Sequence, residues 1–191
     1  MSYNDLPDDQ LVALTAQGGR DAFGALYDRH GSSVYRLALY LLQDRTKAEE
    51  ITQEVFLDVW LKATFFRPER GTFHAWLMAI AHHRAVDELR RNRRQRDVMA
   101  EAGMNAIIEE RTRAITADEG AQHSEEAVIV RKSLEVLPSE QKQVVEMAYY
   151  QGLTQTEIAQ RLQQPLGTVK TRMRLAMQKL RTALGAYQEQ T

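Results

Sequence analysis

The chain has 191 residues, 25 Lys and Arg against 26 Asp and Glu, and no cysteine. That length allows one ordinary domain or two small ones, and 43% hydrophobic with 27% charged residues is the balance of a soluble globular protein. The missing cysteines exclude disulfides, thiolate zinc sites and thiol redox sensing. No run approaches the roughly 18 apolar residues of a membrane span, and the acidic opening MSYNDLPDDQ is not that of a secretory leader; a cytoplasmic setting is expected.

Long 3.6-residue periods without a convincing alternating segment predict an all-α fold. Asp8 or Asp9 caps a first helix through Ala16, stopped by Gly18-Gly19. A second helix is expected over 21–30 and a third over 32–42, with Val34, Leu37, Ala38 and Leu41 on one face. Asp44 then caps a long helix to about Thr64, and Thr72 caps another to about Arg94. Between them, FFRPERG (65–71) contains Pro68 and Gly71, which forbid a continuous helix.

Residues 97–127 change character, with eight acidic residues and only Arg111 and Arg113 as cations. They read as a flexible linker, with a helical turn around 106–113. Helical patterning resumes at about Ser124 and runs to Leu137, and a second helix opens at Pro138-Ser139. Thr154 with Glu157 three residues on is a capping box for a third. After a break at 163–166, Gly167-Thr168 opens the last, whose buried stripe is Val169, Met173, Ala176, Met177 and Leu180. The organisation is two small helical domains on a tether: 1–96, an acidic linker 97–123, and 124–191.

Three features carry function. On the helix at 44–64, Ala48, Ile51, Val55, Val59 and Ala63 form a core seam, yet Leu57 and Leu61 fall among Glu50, Gln53 and Glu54 on the other side. Either another helix covers these leucines or the face meets a partner. The helix at 72–94 ends in RRNRRQR, five arginines in seven residues, more than capping a helix dipole requires and suited to phosphates. From Ile158 to Gln188 there is no Asp or Glu, while Arg161, Lys170, Arg172, Arg174, Lys179 and Arg181 are basic. A helix-turn-helix places the first turns of its second helix in the major groove, where Arg, Lys and Thr reach base edges and phosphates.

Four segments, in order, resemble the bacterial RNA polymerase sigma factors of the extracytoplasmic-function (group 4) family. DRTKAEEITQEVFLDVWLKA (44–63) is similar to the helix with which sigma region two grips the polymerase clamp, and GTFHAWLMAIAHHRAVDELRRNRR (71–94) to the element that opens and reads the −10 element. LPSEQKQVVEMAYYQGLTQTEIAQRL (137–162) and PLGTVKTRMRLAMQKLR (165–181) resemble sigma region four and its −35 recognition helix. The resemblance implies core-polymerase binding by Glu50, Gln53, Glu54, Leu57, Asp58 and Leu61. It implies −10 binding by Phe66, Arg67, Arg70, Arg84, Arg90, Arg91, Asn92 and Arg94, with an extruded base held by the 65–73 loop. It implies −35 binding by Leu166, Thr168, Lys170, Thr171, Arg172 and Arg174. Partners would be core RNA polymerase through its clamp and flap, promoter DNA, and an anti-sigma factor that could hold the protein at the membrane. No cofactor, metal or catalytic residue is expected. The acidic tether suits the basic RNA exit path.

The chain departs from the family pattern at three places. Gln163 stands where members commonly have Gly at a left-handed turn, a cost of roughly 1–2 kcal/mol. His82-His83 replaces the usual Arg-Asn, and Leu175 and Met177 stand where basic residues are frequent. Two other classes compete. A free-standing DNA-binding regulator would use the same terminal unit but leave Leu57 and Leu61 without a role. A metalloenzyme built on His82-His83 would need one ion shared by side chains pointing about 100° apart.

Overall fold

The structure, a computed structural model, describes residues 3–101 and 135–188. Among the described residues there are helices and no strand. The chain divides into two compact units, parting at Asn92 and Arg93.

In the first unit, α1 spans Asp8–Ala16, α2 Arg20–Leu42 and α3 Arg45–Lys62; α4, Phe73–Glu101, begins there and runs past its last residue. Pro7, not an aspartate, is the N-cap of α1 and makes no side-chain cap bond. Asp8 is instead drawn to Arg29 and His30 of α2. The helix stops where Gly18 takes φ 87°. Gly19 follows because a Cβ there would lie 2.9 Å from the Leu14 carbonyl oxygen.

The two helices expected over 21–30 and 32–42 are one. Helix α2 passes through Gly31 without a break, since Leu26, His30, Val34, Ala38 and Leu41 continue a single buried face across it. Burying that face outweighs the roughly 1 kcal/mol that glycine costs inside a helix. The helix ends at Gln43, in the left-handed region at φ 52°. Asp44 then caps α3 as expected, its Oδ1 accepting the Lys47 N–H at 3.1 Å.

The expected α3 seam of Ala48, Ile51, Val55, Val59 and Ala63 is buried throughout, joined by Phe56. Phe56 packs edge-on to Phe23 and tilted against Tyr27, with ring centroids 6.2 and 4.7 Å apart. The buried hydroxyls of Thr15 and Thr52 donate to carbonyls one turn back, at 2.8 and 2.7 Å, so neither is left unsatisfied. Thr72 caps α4 through the Ala75 N–H at 3.2 Å, and the helix runs beyond Arg94 to Glu101. The remainder of the expected linker, its turn at 106–113, and the helix over 124–137 but for its last residues lie outside the described residues.

In the second unit, α5 spans Ser139–Tyr149, α6 Gln155–Arg161 and α7 Leu166–Gln188. Val144, Met147, Leu153, Ile158, Ala159 and Val169 form its core, with Leu137, Val145 and Ala176 beside it. The Thr154–Glu157 capping box is complete, with bonds of 3.3 and 2.6 Å. Met177 is exposed rather than buried. Val169, Met173, Ala176 and Leu180 step along α7 by four, three and four residues and stay within an arc of about 60°; Met177, about 80° around from Val169, lies about 40° beyond the edge of that arc.

Gln163 adopts the left-handed turn that its position demands, at φ 52°. Its N–H donates to Gln160 O at 3.2 Å and that of Gln164 to Ala159 O at 2.9 Å, the paired bonds of a Schellman end. The turn is left-handed without a glycine and bears the strain. Gln163→Gly should therefore stabilise this unit by about 1 kcal/mol, the relieved strain outweighing the added chain entropy. Both tryptophans, Trp60 and Trp76, lie in the first unit. The check is a higher circular-dichroism midpoint for the second unit with an unchanged tryptophan-fluorescence midpoint.

Candidate protein-docking and nucleic-acid interfaces

Helix α3 presents Glu50, Gln53, Glu54, Leu57 and Leu61 to the surface. The two leucines are 57% and 64% exposed, so no helix of their own unit covers them. Asp58 behaves otherwise. It is only 6% exposed, and its Oδ2 accepts from Arg84 Nε at 2.9 Å and Nη2 at 2.6 Å, while Oδ1 meets Lys62 Nζ at 2.8 Å. Burial pushes the Asp58 carboxyl up, but the hydrogen bonds and charges of Lys62 and Arg84 outweigh it and hold the group below its ordinary value. The reason is angular: seven residues after buried Ile51, Asp58 lies only about 20° away around the helix. The exposed face of α3 therefore carries Glu50, Gln53, Glu54, Leu57 and Leu61, with Asp58 turned inward.

Arg84, expected on DNA, is the partner that holds Asp58, and its Nη1 also reaches Glu54 at 3.3 Å. Its hydrogen bond to Asp58 is the main influence holding its proton more tightly than usual. The guanidinium thus faces α3.

The loop between α3 and α4 forms two short 3-10 turns, Ala63–Phe65 and Pro68–Arg70, and leaves through Gly71 at φ 141°. Phe66, expected to meet DNA, is instead buried, its ring 6.0 Å from Phe73 and 5.6 Å from Trp76 between centroids. The outward aromatic is Phe65, 71% exposed, which sequence reasoning passed over. Adjacent phenylalanines in a turn point apart, and nothing in FF distinguishes them. Arg67 donates through Nη1 to the carbonyls of Thr64 at 2.8 Å and Phe66 at 2.9 Å, bracing the loop. Arg70 is exposed.

Along α4, Arg91 and Arg94 are exposed, with Arg90 and Asn92 half-buried. Arg90 and Arg91 have ion pairs one turn back, to Asp87 at 3.6 Å and Glu88 at 3.4 Å. Among the described residues no three His, Asp or Glu side chains are grouped to hold a metal ion, and His82 and His83 stand 6.1 Å apart between ring centroids.

A shallow cavity of about 450 Å³ lies between the start of α1 and this loop, lined by Asp8, Asp9, Arg29, Pro68, Gly71 and Thr72 among others. Beneath it the Asp8 carboxylate pairs with Arg29 and accepts from His30 Nε2 at 2.7 Å. His30 Nδ1 faces His74 Nδ1 at 3.4 Å. Burial lowers the His30 pKa below its ordinary 6.5; the charge and hydrogen bond of Asp8 oppose this, whereas the charges of His74 and Arg29 add to it. The folded unit thus prefers neutral His30, and the unfolded chain takes up the proton first. This contribution to stability is present above pH 6.5 and is lost as pH falls through the lowered folded value. The tryptophan-fluorescence midpoint should therefore drop as pH is lowered from 7 to 5, and H30Q should flatten that dependence.

In the second unit, Leu166, Lys170, Thr171 and Arg174 are exposed on the first turns of α7, and Thr168 is half-buried. Arg172 differs from them. Its side chain is 18% exposed, and Nη2 donates to Glu140 Oε2 of α5 at 2.6 Å, tying the two helices together.

Residues 26–95 match the family model for sigma-70 region 2, and residues 133–182 match that for sigma-70 region 4. The ECF RNA polymerase sigma factor SigK of Mycobacterium ulcerans (strain Agy99) is 38% identical over 176 residues, 92% of this chain and 92% of its own. The protein of the same name from Mycobacterium sp. (strain KMS) is 35% identical over 184 residues, 93% of this chain and 90% of its own. Among solved structures, the sigma factor RpoE in complex with the anti-sigma factor NepR from Bartonella quintana is 21% identical, with a TM-score of 0.39 over 85% of this chain and 96% of that one. With such identity across nearly the whole length, and both regions present in order, the chain belongs to the extracytoplasmic-function family of RNA polymerase sigma factors, which direct the polymerase to specific promoters.

Proposed function

We propose that the chain docks on the clamp of core RNA polymerase through Glu50, Gln53, Glu54, Leu57 and Leu61. The observation that carries this is the exposure of Leu57 and Leu61 among carboxylates on a helix whose opposite side is fully buried. Two large aliphatic side chains in water on one face are the anchors of an interface, and the flanking acids suit a basic partner surface.

In this reading the 63–72 loop and α4 open and read the −10 element. An extruded base leaves its stack at a cost of a few kcal/mol. Phe65 supplies an exposed ring for stacking, worth about 1–3 kcal/mol, and Arg70, Arg90, Arg91, Asn92 and Arg94 meet the backbone and the opened strand. The first turns of α7 read the −35 element, Lys170 and Arg174 through phosphates or guanine and Thr168, Thr171 and Leu166 through thymine methyls. Residues 1–96 and 124–191 are then the two working domains, and the acidic 97–123 is the tether that passes the RNA exit path near the flap. The protein performs no chemistry of its own. It works in the cytoplasm, where an anti-sigma factor covering the docking and DNA faces would hold it inactive, at the membrane if that factor is anchored there. Among the described residues no helix is long and apolar enough to cross a membrane.

The test is run-off transcription from a pooled set of genomic promoters with purified core polymerase. Promoter-dependent transcripts that require the added protein support the reading; their absence across the pool sinks it. A gel shift without polymerase is the companion measurement, because tight duplex binding by the protein alone would favour a free-standing regulator.

A further inference from the structure

We infer that Arg84 is a positioning residue, locking α4 against α3 through Asp58 so that the −10-reading helix keeps its register with the polymerase-docking face. The inference rests on the functional reading above. Its physical basis is a set of charges with a fixed polarity between the two helices. Helix α3 carries Lys47 near its start and Glu54 and Asp58 in its second half, while α4 carries Arg84 and, one turn on, Glu88. Arg84 binds Asp58 at 2.6 and 2.9 Å and Glu54 at 3.3 Å; Lys47 meets Glu88 at 3.6 Å. Asp58 and Glu88 are both buried, so each needs its cation. Ala81 and Ala85 are buried on the same stretch of α4.

Sliding α4 by one turn would bring Arg84 toward Lys62 or move Glu88 toward the Glu50–Glu54 carboxylates. The first slip takes the Arg84 cation away from buried Asp58, and the second sets buried Glu88 against its own sign. A charge pattern that penalises neighbouring registers is the best-attested use of buried ion pairs. Its place here is informative: Asp58 lies between Leu57 and Leu61 in sequence, and Arg84 lies in the helix that ends in the DNA-facing arginines. Seating of α3 on the polymerase would thereby set where those arginines stand. The guanidinium spends Nε and both terminal nitrogens on α3 carboxylates, an arrangement that lysine cannot reproduce.

The experiment compares R84Q, R84K, D58N and the R84Q/D58N double variant in the full chain with core polymerase. It measures core affinity, open-complex yield by thymine reactivity in the −10 region, and the slope of log promoter affinity against log salt concentration. If Arg84 positions α4, each single variant lowers open-complex yield by about tenfold, and the double is no worse than the worse single because the two residues act as one unit. The salt slope is then unchanged, and R84K fails to rescue. If Arg84 instead contacts a phosphate, R84Q lowers the slope by about one, R84K retains most of the activity, and D58N leaves the yield at the wild-type level. Any of these three results overturns the inference, as does a double variant whose loss is the product of the two singles. Core affinity near wild type shows that a variant is folded; D58N, almost isosteric, serves where R84Q loses it. A wild-type protein that gives no promoter-dependent transcript in the same assay removes the functional reading itself.

Discussion

Replacing Leu57 and Leu61 together by aspartate should abolish promoter-dependent transcription while helix content and thermal unfolding stay near wild type. Both side chains are more than half exposed, so their removal takes nothing from the core, and exposed substitutions of this kind usually move stability by no more than about 0.5 kcal/mol. Their cost falls on the interface. A leucine fully buried against a partner contributes roughly 1.5–3 kcal/mol, and an aspartate in its place adds the penalty of a carboxylate taken out of water. Two such sites remove at least about 4 kcal/mol, close to a thousandfold in core affinity. The alanine variants separate the two effects: each single Leu→Ala change should weaken core binding by about tenfold. Fluorescence anisotropy of the labelled protein titrated with core enzyme reads this directly. Wild-type core affinity in the double aspartate variant would remove α3 from the interface, and a large fall in the tryptophan-fluorescence midpoint would mean that the leucines belong to the fold.

Where a side chain's fate follows from helical angle, the sequence was sufficient; where it depends on a partner from another helix, it was not. The α3 seam, the Asp44 cap and the Thr154–Glu157 capping box follow from spacing within one element, and the structure has each; spacing put Leu57 and Leu61 off the seam, and only the packing shows them uncovered. Gly31 misled because glycine's local cost is visible in the sequence, whereas the buried face that continues on both sides emerges only when α2 packs. Asp58, Arg84 and Arg172 misled in another way. Charged residues on helices that meet partners read as surface, yet each of these turns toward an opposite charge 26 or 32 positions away in the chain. Angle alone would have flagged Asp58, next to Ile51 around the helix. Angle also separates Arg172, about 60° from buried Val169 around α7, from Arg174, about 140° away; nothing local distinguishes Phe66 from Phe65. The general lesson concerns arginine-rich elements: some of their cations turn inward to a carboxylate on a neighbouring helix, and composition cannot tell these from the ones that stay exposed.

That distinction sets the expected behaviour of α7. Alanine at Lys170 or Arg174 should weaken −35-dependent promoter binding with the fold intact, because both side chains are exposed on the helix's first turns. A phosphate contact is recognised by a salt slope lower by about one and equal loss on all sequences. A guanine contact is recognised by a loss of about 1–3 kcal/mol, tenfold or more, confined to promoters with that base. R172Q should do neither. Its guanidinium is mostly covered and bound to Glu140, whose own side chain is two-thirds exposed, so the pair is partly screened by water and worth about 1 kcal/mol at most. Removing it should lower the unfolding midpoint of the second unit slightly, leave the salt slope unchanged, and be matched by E140Q. The contrast among three cations within five residues is the measurement that matters: if R172Q lowers the slope as K170A does, Arg172 leaves Glu140 for the DNA, and the contact between α5 and α7 belongs only to the unbound protein.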